Sequence, residues 1–379
     1  MDGVAQTAQR LAKHRPGHPV ISVYLDLDPE RFATAPARAV QIRSLIDEAA
    51  RDLDRDEGLS HADRTALRED LRRLDAFLNS REPPFQGSRA LAVFCSSRDG
   101  LFETVQLREP TPARVVIEPT AYIEPLVGAM DEPRWCVALV SRRSARLLTG
   151  QVAELRERQR LEDDTPGQHD QGGWSQANYE RSIEKDTDDH LRRVAELVRR
   201  AWRAERFDRL AIGGPQEIVP RFEAMLGDEV RARVVPGRVE VDAGSATEEQ
   251  VRTAMTKLAA ENEKRIERVA LDRLAAGIGS GGRATGGPRE TIEALNERRV
   301  ATLLLEPAFD GHAARCPSCG LLSLDGHDQC PADGTHMEEV DHLREAAVEA
   351  ALAQDADVMN IRYFPDLGPF QGIGALLRF

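Results

Sequence analysis

Cysteines separated by two residues in a tight turn can offer two thiolates to one ion, and the chain has such a turn at Cys316 and Cys319, in CPSCG. A second turn of the same form, CPADG, begins at Cys330 and has Asp333 where a further cysteine is expected. Three thiolates and one carboxylate suit a structural zinc, with His327, His336 or His312 as alternative nitrogen donors; the opposing possibility is a decayed knuckle with three free thiols. A second candidate is the segment LEDDTPGQHDQGGWSQ, polar and aperiodic, in which Gly172, Gly173, Trp174, Ser175 and Gln176 precede a long helix-patterned stretch. Glycines permit positive φ and close backbone approach, Gln176 brings an uncharged amide, and Trp174 offers a face for stacking on a base. The plainer expectation is an exposed loop in which Ser175 caps the next helix.

The elements that position these residues follow from hydrophobic period. VISVYLDL and RALAVFC read as strands, and ARAVQIRSLIDEAARDL and HADRTALREDLRRLDAFL between them as amphipathic helices. RWCVALVSRRSARLLTGQVAELRE reads as a hairpin or a closely connected pair of strands, broken at Arg142 to Ser144. From Ala177, apolar residues recur at three and four (Leu191, Val194, Leu197, Val198, Ala201, Trp202), which predicts a helix, followed by a strand in DRLAIGG and a long helix from ATEEQV onward. GIGSGGRATGGP is linker-like or a glycine-rich loop. A helix (ETIEALNERR), a strand (VATLLLE), the cysteine cluster, a helix (DHLREAAVEAALAQD) and two strands (DVMNIRY, GIGALLRF) complete an α/β chain.

The chain has 379 residues, more than one ordinary core supports, so two or three units are expected. The boundaries drawn are 1–127, 128–276 and 277–379, with the cysteine insertion at about 312–340. A net charge of −13 opposes indiscriminate binding to nucleic acid, so any RNA contact must be local, for which the arginine-rich stretch from Arg192 to Arg209 is a candidate. No signal-like or membrane-spanning apolar run is present, and a cytoplasmic location without membrane attachment is expected. Cys95 and Cys136 lie in apolar runs and read as buried strand thiols.

Three stretches, in order, resemble the archaeo-eukaryotic class-one peptide-chain release factor and Pelota superfamily, in its bacterial branch. They are GGWSQANYERSIEKDTDDHLRRVAELV, TIEALNERRVATLLLE with the cysteine cluster, and the ending AQDADVMNIRYFPDLGPFQGIGALLRF. The resemblance implies an α/β N-terminal domain, a ribonuclease-H-like middle domain exposing the GGWSQ loop, and a C-terminal α/β domain like a ribosomal-protein RNA-binding fold with a zinc-knuckle insertion. It further implies a monomer that binds the ribosomal A site, ribosomal RNA and tRNA, with an elongation-type GTPase as a candidate partner.

Gly172, Gly173 and Gln176 are then the residues that act at the peptidyl-tRNA ester or the tRNA end, and Trp174, Ser175 and Arg181 those that contact RNA. In the release factors two glycines and the glutamine are contiguous, whereas Trp174 and Ser175 intervene here. The SQA triplet is similar to the loop of a eukaryotic ribosome quality-control relative, which favours Gln176 as the reactive position. No counterpart of the stop-codon-reading Asn-Ile-Lys-Ser loop occurs between Met1 and Pro125, so codon-specific termination is not expected.

These features leave three functions to compare. One is release of nascent chains from stalled ribosomes, as a peptidyl-tRNA hydrolase or tRNA-end nuclease acting only there. Another is non-catalytic hibernation of the kind performed by the bacterial factor Balon. The third, a stand-alone metal-dependent hydrolase using Asp163, Asp164, His169 and Asp170, rests on polar residues that ordinarily are just solvated.

Overall fold

The computed structural model describes residues 4–14, 17–28, 30–32, 34–56, 58–80, 88–107, 110–130, 133–163, 176–279, 282–326 and 328–379; for 176–180 and 182 it describes the backbone alone. The mixed α/β chain forms two compact units, Met1–Asp131 with Ala270–Phe379, and Glu132–Val269.

In the first unit, strands alternate their side chains between two covered faces, and both faces are apolar. The central strand Val20–Asp26 runs antiparallel to Ala90–Ser96 and to Arg114–Glu118, and Leu101–Leu107 adds the outer edge. Ile21, Val23, Leu25 and Val93 face one way, under the helices Ala35–Arg55 and His61–Leu78, which contribute Leu45, Leu71 and others. Both helices begin on a hydroxyl that accepts a backbone N–H, Thr34 from Ala37 at 3.3 Å and Ser60 from Asp63 at 3.0 Å.

The opposite face, with Tyr24, Ala92 and Phe94, shares a core with C-terminal residues such as Leu303, Val348 and Leu352. The second sheet places Val300–Leu305 between Asp357–Asn360, which is parallel to it, and Ile373–Leu377, which is antiparallel. Its far edge is Ala284–Gly286, so the glycine-rich stretch expected as a linker or loop supplies a strand. Gly286 is there for proximity, because a Cβ would come 2.4 Å from the Phe370 ring. The short strands Ala313–Arg315, Leu322–Ser323 and Glu338–Val340 form a small third sheet that carries the cysteine turns.

A carboxylate joins the N- and C-terminal parts of this unit. Glu345, on the helix Leu343–Ala353, accepts the backbone N–H groups of Ile123 and Glu124, both at 2.7 Å. Arg344 reaches Glu124 at 2.7 Å, and Glu349 takes hydrogen bonds from Thr120 at 2.9 Å and from Arg315. Burial, with the charges of Glu349 and Glu118 adding to it, lifts the Glu345 carboxyl well above the ordinary carboxylate range despite its two N–H donors.

In the second unit, Trp135–Val140 is antiparallel to Ser144–Gly150, which is antiparallel to Arg156–Glu162; Arg209–Gly213 closes the sheet parallel to Trp135–Val140. Along one strand Cys136, Ala138 and Val140 meet Leu191, Val194 and Val198 of the helix Gln176–Glu205. The alternate residues Trp135, Val137 and Leu139 meet Val251, Met255 and Leu258 of the helix Glu248–Gly279. Where the sheet ends, Gly214 has φ 151° and lies so close to its neighbour that a Cβ would stand 2.2 Å from the carbonyl oxygen of Val140.

Candidate functional site

The cysteine turns are built alike. In the first, the Cys316 N–H donates to the Leu321 carbonyl at 2.9 Å and the Gly320 N–H to the Cys316 carbonyl at 2.9 Å. In the second, the Cys330 N–H donates to Thr335 at 2.8 Å and the Gly334 N–H to Cys330 at 2.9 Å. The glycine that ends each turn has positive φ, 78° at Gly320 and 73° at Gly334, a conformation that a side chain would strain. Backbone N–H groups point at the sulfurs, Cys319 toward Cys316 Sγ and Ala332 toward Cys330 Sγ, each at 3.4 Å.

These two turns bring together the four sequence-predicted metal residues. The ligand atoms of Cys316, Cys319, Cys330 and Asp333 all lie within 4.8 Å of one another. Cys319 Sγ is 3.6 Å from Cys330 Sγ, and Cys316 Sγ is 3.6 Å from both Asp333 oxygens. Tetrahedral zinc with Zn–S bonds of ~2.3 Å places its sulfurs roughly 3.8 Å apart, so the spacing fits such an ion. The Thr335 backbone N–H, 3.0 Å from Asp333 Oδ1, holds that carboxyl well below the usual range, in the charged form a metal ligand requires. His312 instead lies 3.6 Å from Asp341, and His336 is exposed and outside the group; His327 lies outside the described residues.

The other predicted residues are placed only in part. Gly172, Gly173, Trp174 and Ser175 lie outside the described residues, as do Asp164, His169 and Asp170. Gln176 begins the helix Gln176–Glu205, its side chain undescribed, and Arg181 is exposed on the same helix. Of the residues considered for a hydrolase, Asp163 is engaged within the protein. Its N–H donates to the Arg143 carbonyl at 2.9 Å, and its Oδ2 lies 2.7 Å from His190 Nδ1 and 2.5 Å from an Arg193 nitrogen.

His190, fully buried, thus ties the end of the strand segment to the helix beyond residue 175. Its place on the apolar stripe beside Leu191 and Val194 was visible in the sequence, but its partner across 27 residues was not. Cys95 and Cys136 are buried strand thiols as expected, and burial pushes both up to about 12, leaving them unreactive.

By sequence this chain is similar to the archaeo-eukaryotic class-one release factors. Within it, residues 122–260 match the family model of the bacterial archaeo-eukaryotic release factor family 10.

Peptide chain release factor subunit 1 of Methanopyrus kandleri is 28% identical over 212 residues, covering 54% of this chain and 51% of the relative. That match therefore spans about half the relative's length. The protein of the same name from Archaeoglobus fulgidus is 24% identical over 346 residues, covering 81% and 82%. Among solved structures, the crystal structure of archaeal translation termination factor aRF1 aligns over 99% of this chain and 97% of its own at 19% identity and a TM-score of 0.28. Among the described residues no helix is long and apolar enough to cross a membrane.

Proposed function

We propose that this chain is a release-factor-like translation factor that enters the ribosomal A site and frees nascent chains from peptidyl-tRNA on stalled ribosomes, without reading a stop codon. The observation that carries this reading is the match of residues 122–260 to a release-factor family, a span that includes Gly172, Gly173 and Gln176. Ester hydrolysis on the ribosome needs a positioned water and donors for developing negative charge, and the ribosome contributes most of that pocket. The factor adds a slim segment: two glycines that let backbone pass close to RNA, and the Gln176 amide, which loses less on leaving water than a charged group would. Trp174 and Ser175 contact RNA beside it, and Arg181 a phosphate.

Cys316, Cys319, Cys330 and Asp333 would hold a structural zinc that braces the two turns, and no step of release passes through it. The factor acts in the cytoplasm as a monomer, with its N-terminal, middle and C-terminal parts divided near residues 127 and 276 and with an elongation-type GTPase as delivery partner.

A second reading is favoured by one feature: Trp174 and Ser175 stand between the glycines and the glutamine. If they carry Gln176 out of register, the factor occupies ribosomes without hydrolysis, as a hibernation factor does. Release of labelled peptide from stalled 70S ribosomes, with binding followed in parallel, decides between them. The release reading expects Gln176→Ala to abolish release and leave binding intact. Tight binding without release by the wild type would sink it in favour of hibernation.

A further inference from the structure

The arginine-rich stretch from Arg192 to Arg209 is divided in two by its contacts. In its first half the arginines are matched: Arg192 to Asp189 at 2.5 Å, Arg193 to Asp163 at 2.5 Å, and Arg199 and Arg200 to Glu196 at 2.6 and 3.1 Å. These are charges of a solvated helix face. At the carboxyl end the two carboxylates are held by other donors. Glu205 accepts from Arg134 and Thr149, each at 2.8 Å, and Asp208 from the Arg134 backbone N–H at 2.8 Å. Exposed Arg203 and Arg206, and half-buried Arg233 from a later segment, meet no carboxylate among the described residues.

Two of these arginines, Arg206 and Arg233, are positioned without one. The Arg206 and Arg233 guanidinium carbons lie 4.3 and 5.2 Å from the ring centroid of Trp202, which is only 6% exposed. Arg206 takes φ 49°, a left-handed turn that ends the helix and folds its side chain back over the ring. Arg209 lies 5.5 Å from the Trp135 ring. A guanidinium set against an indole is fixed in orientation yet keeps its charge and its forked donors for a ligand. The cluster is also rich in donors, since Trp202 Nε1 and Arg233 Nε are buried and meet no acceptor among the described residues.

We infer that the carboxyl end of the helix Gln176–Glu205, with Arg203, Arg206 and Arg233 around Trp202, is a docking surface for the phosphate backbone of structured RNA. In a chain of net charge −13, three guanidinium groups left over at one end make a local positive field against an unfavourable overall charge. A protein partner fits less well, because interfaces centre on apolar anchors. The exposed large hydrophobics among the described residues, Val40, Val269, Ile278, Tyr363 and Phe379, belong to other segments. On the ribosomal reading above, the RNA is ribosomal RNA or tRNA; the surface itself is testable apart from that reading.

The test compares two charge-matched triple variants by anisotropy of a fluorescein-labelled RNA hairpin across a KCl series, and by co-sedimentation with 70S ribosomes. Arg203→Gln with Arg206→Gln and Arg233→Gln is expected to weaken hairpin binding at least about 10-fold. It should also reduce the slope of log K against log[KCl] by about 2–3, since each phosphate contact contributes ~0.7–0.9. Arg192→Gln with Arg199→Gln and Arg200→Gln, which loses the same charge, changes the slope by less than about 1. Arg203→Glu alone, at an exposed position with no ring contact, guards against misfolding of the triple and is expected to weaken binding severalfold.

Equal weakening by both triples, no weakening by either, or competition by poly-glutamate as effective as by unlabelled RNA overturns the surface. A wild type that binds the hairpin through these arginines but not 70S ribosomes keeps the surface and removes the ribosomal role. Undiminished 70S binding by the Arg203, Arg206 and Arg233 triple removes the surface alone.

Discussion

Substituting Asp333 tests whether the paired turns hold an ion. Their enclosed apolar core is small, Ala314, Cys316, Cys330 and Met337 with Leu321 against them, too little to fix two turns and three short strands unaided. Structural zinc binds with an apparent free energy of about 10–16 kcal/mol spread over four ligands, so one ligand accounts for a factor on the order of 100–1000 in affinity. Protein purified without chelator is expected to carry about one zinc per chain, read by plasma mass spectrometry. In competition with a chromophoric chelator, Asp333→Ala should lose affinity by on the order of 100–1000-fold as water takes the fourth position. Asp333→Cys should gain affinity, because the second turn already has the backbone hydrogen bonds of the first. EDTA should lower the melting temperature of the wild type. Zinc far below one per chain, equal affinities for wild type and Asp333→Ala, or melting indifferent to EDTA would each refute the argument.

Glu345→Ala leaves the buried N–H of Ile123 and the half-buried N–H of Glu124 without their acceptor, at about 1–3 kcal/mol each, so urea unfolding should show a loss of about 2–6 kcal/mol; a loss under about 1 kcal/mol contradicts the clamp. Because the folded Glu345 carboxyl is raised, the folded chain keeps a proton that the unfolded chain releases, from the ordinary glutamate value upward. Its contribution is therefore whole below that value and is lost as pH rises through the raised one. Glu345→Gln should flatten that part of the stability profile, and an unchanged profile counts against the assignment. Gly214→Ala sets a Cβ 2.2 Å from the Val140 carbonyl oxygen and should cost at least about 1–3 kcal/mol, which calorimetry would register as a lowered melting temperature; unchanged melting would show that the strand ends elsewhere.

What the sequence made legible was whatever a local period or spacing encodes. The unbroken apolar run WCVALV is that of a strand covered on both faces, and the helices at its two faces take its odd and even residues as that pattern requires. The CxxC and CxxD spacings fix two turns, and the turns converge because each presents its side chains from the same backbone hydrogen bonds.

What was illegible depends on partners far away in the chain. Glu345 and Glu349 stand in LREAAVEAALA like ordinary solvent-facing acids, and only contact with Thr120 to Glu124, over 220 residues distant, makes them buried acceptors. The glycines of GIGSGGRATGGP signal freedom in the sequence, yet Gly286 is constrained by Phe370, a residue that no local pattern ties to it. The arginine stretch follows the same rule. Its composition is uniform, so the division between matched and unmatched guanidinium groups comes from Asp163 and Glu196 on one side and from Trp202 and Arg233 on the other. Charge runs report function only after their internal partners are subtracted, and in this arginine stretch the remainder falls at the carboxyl end.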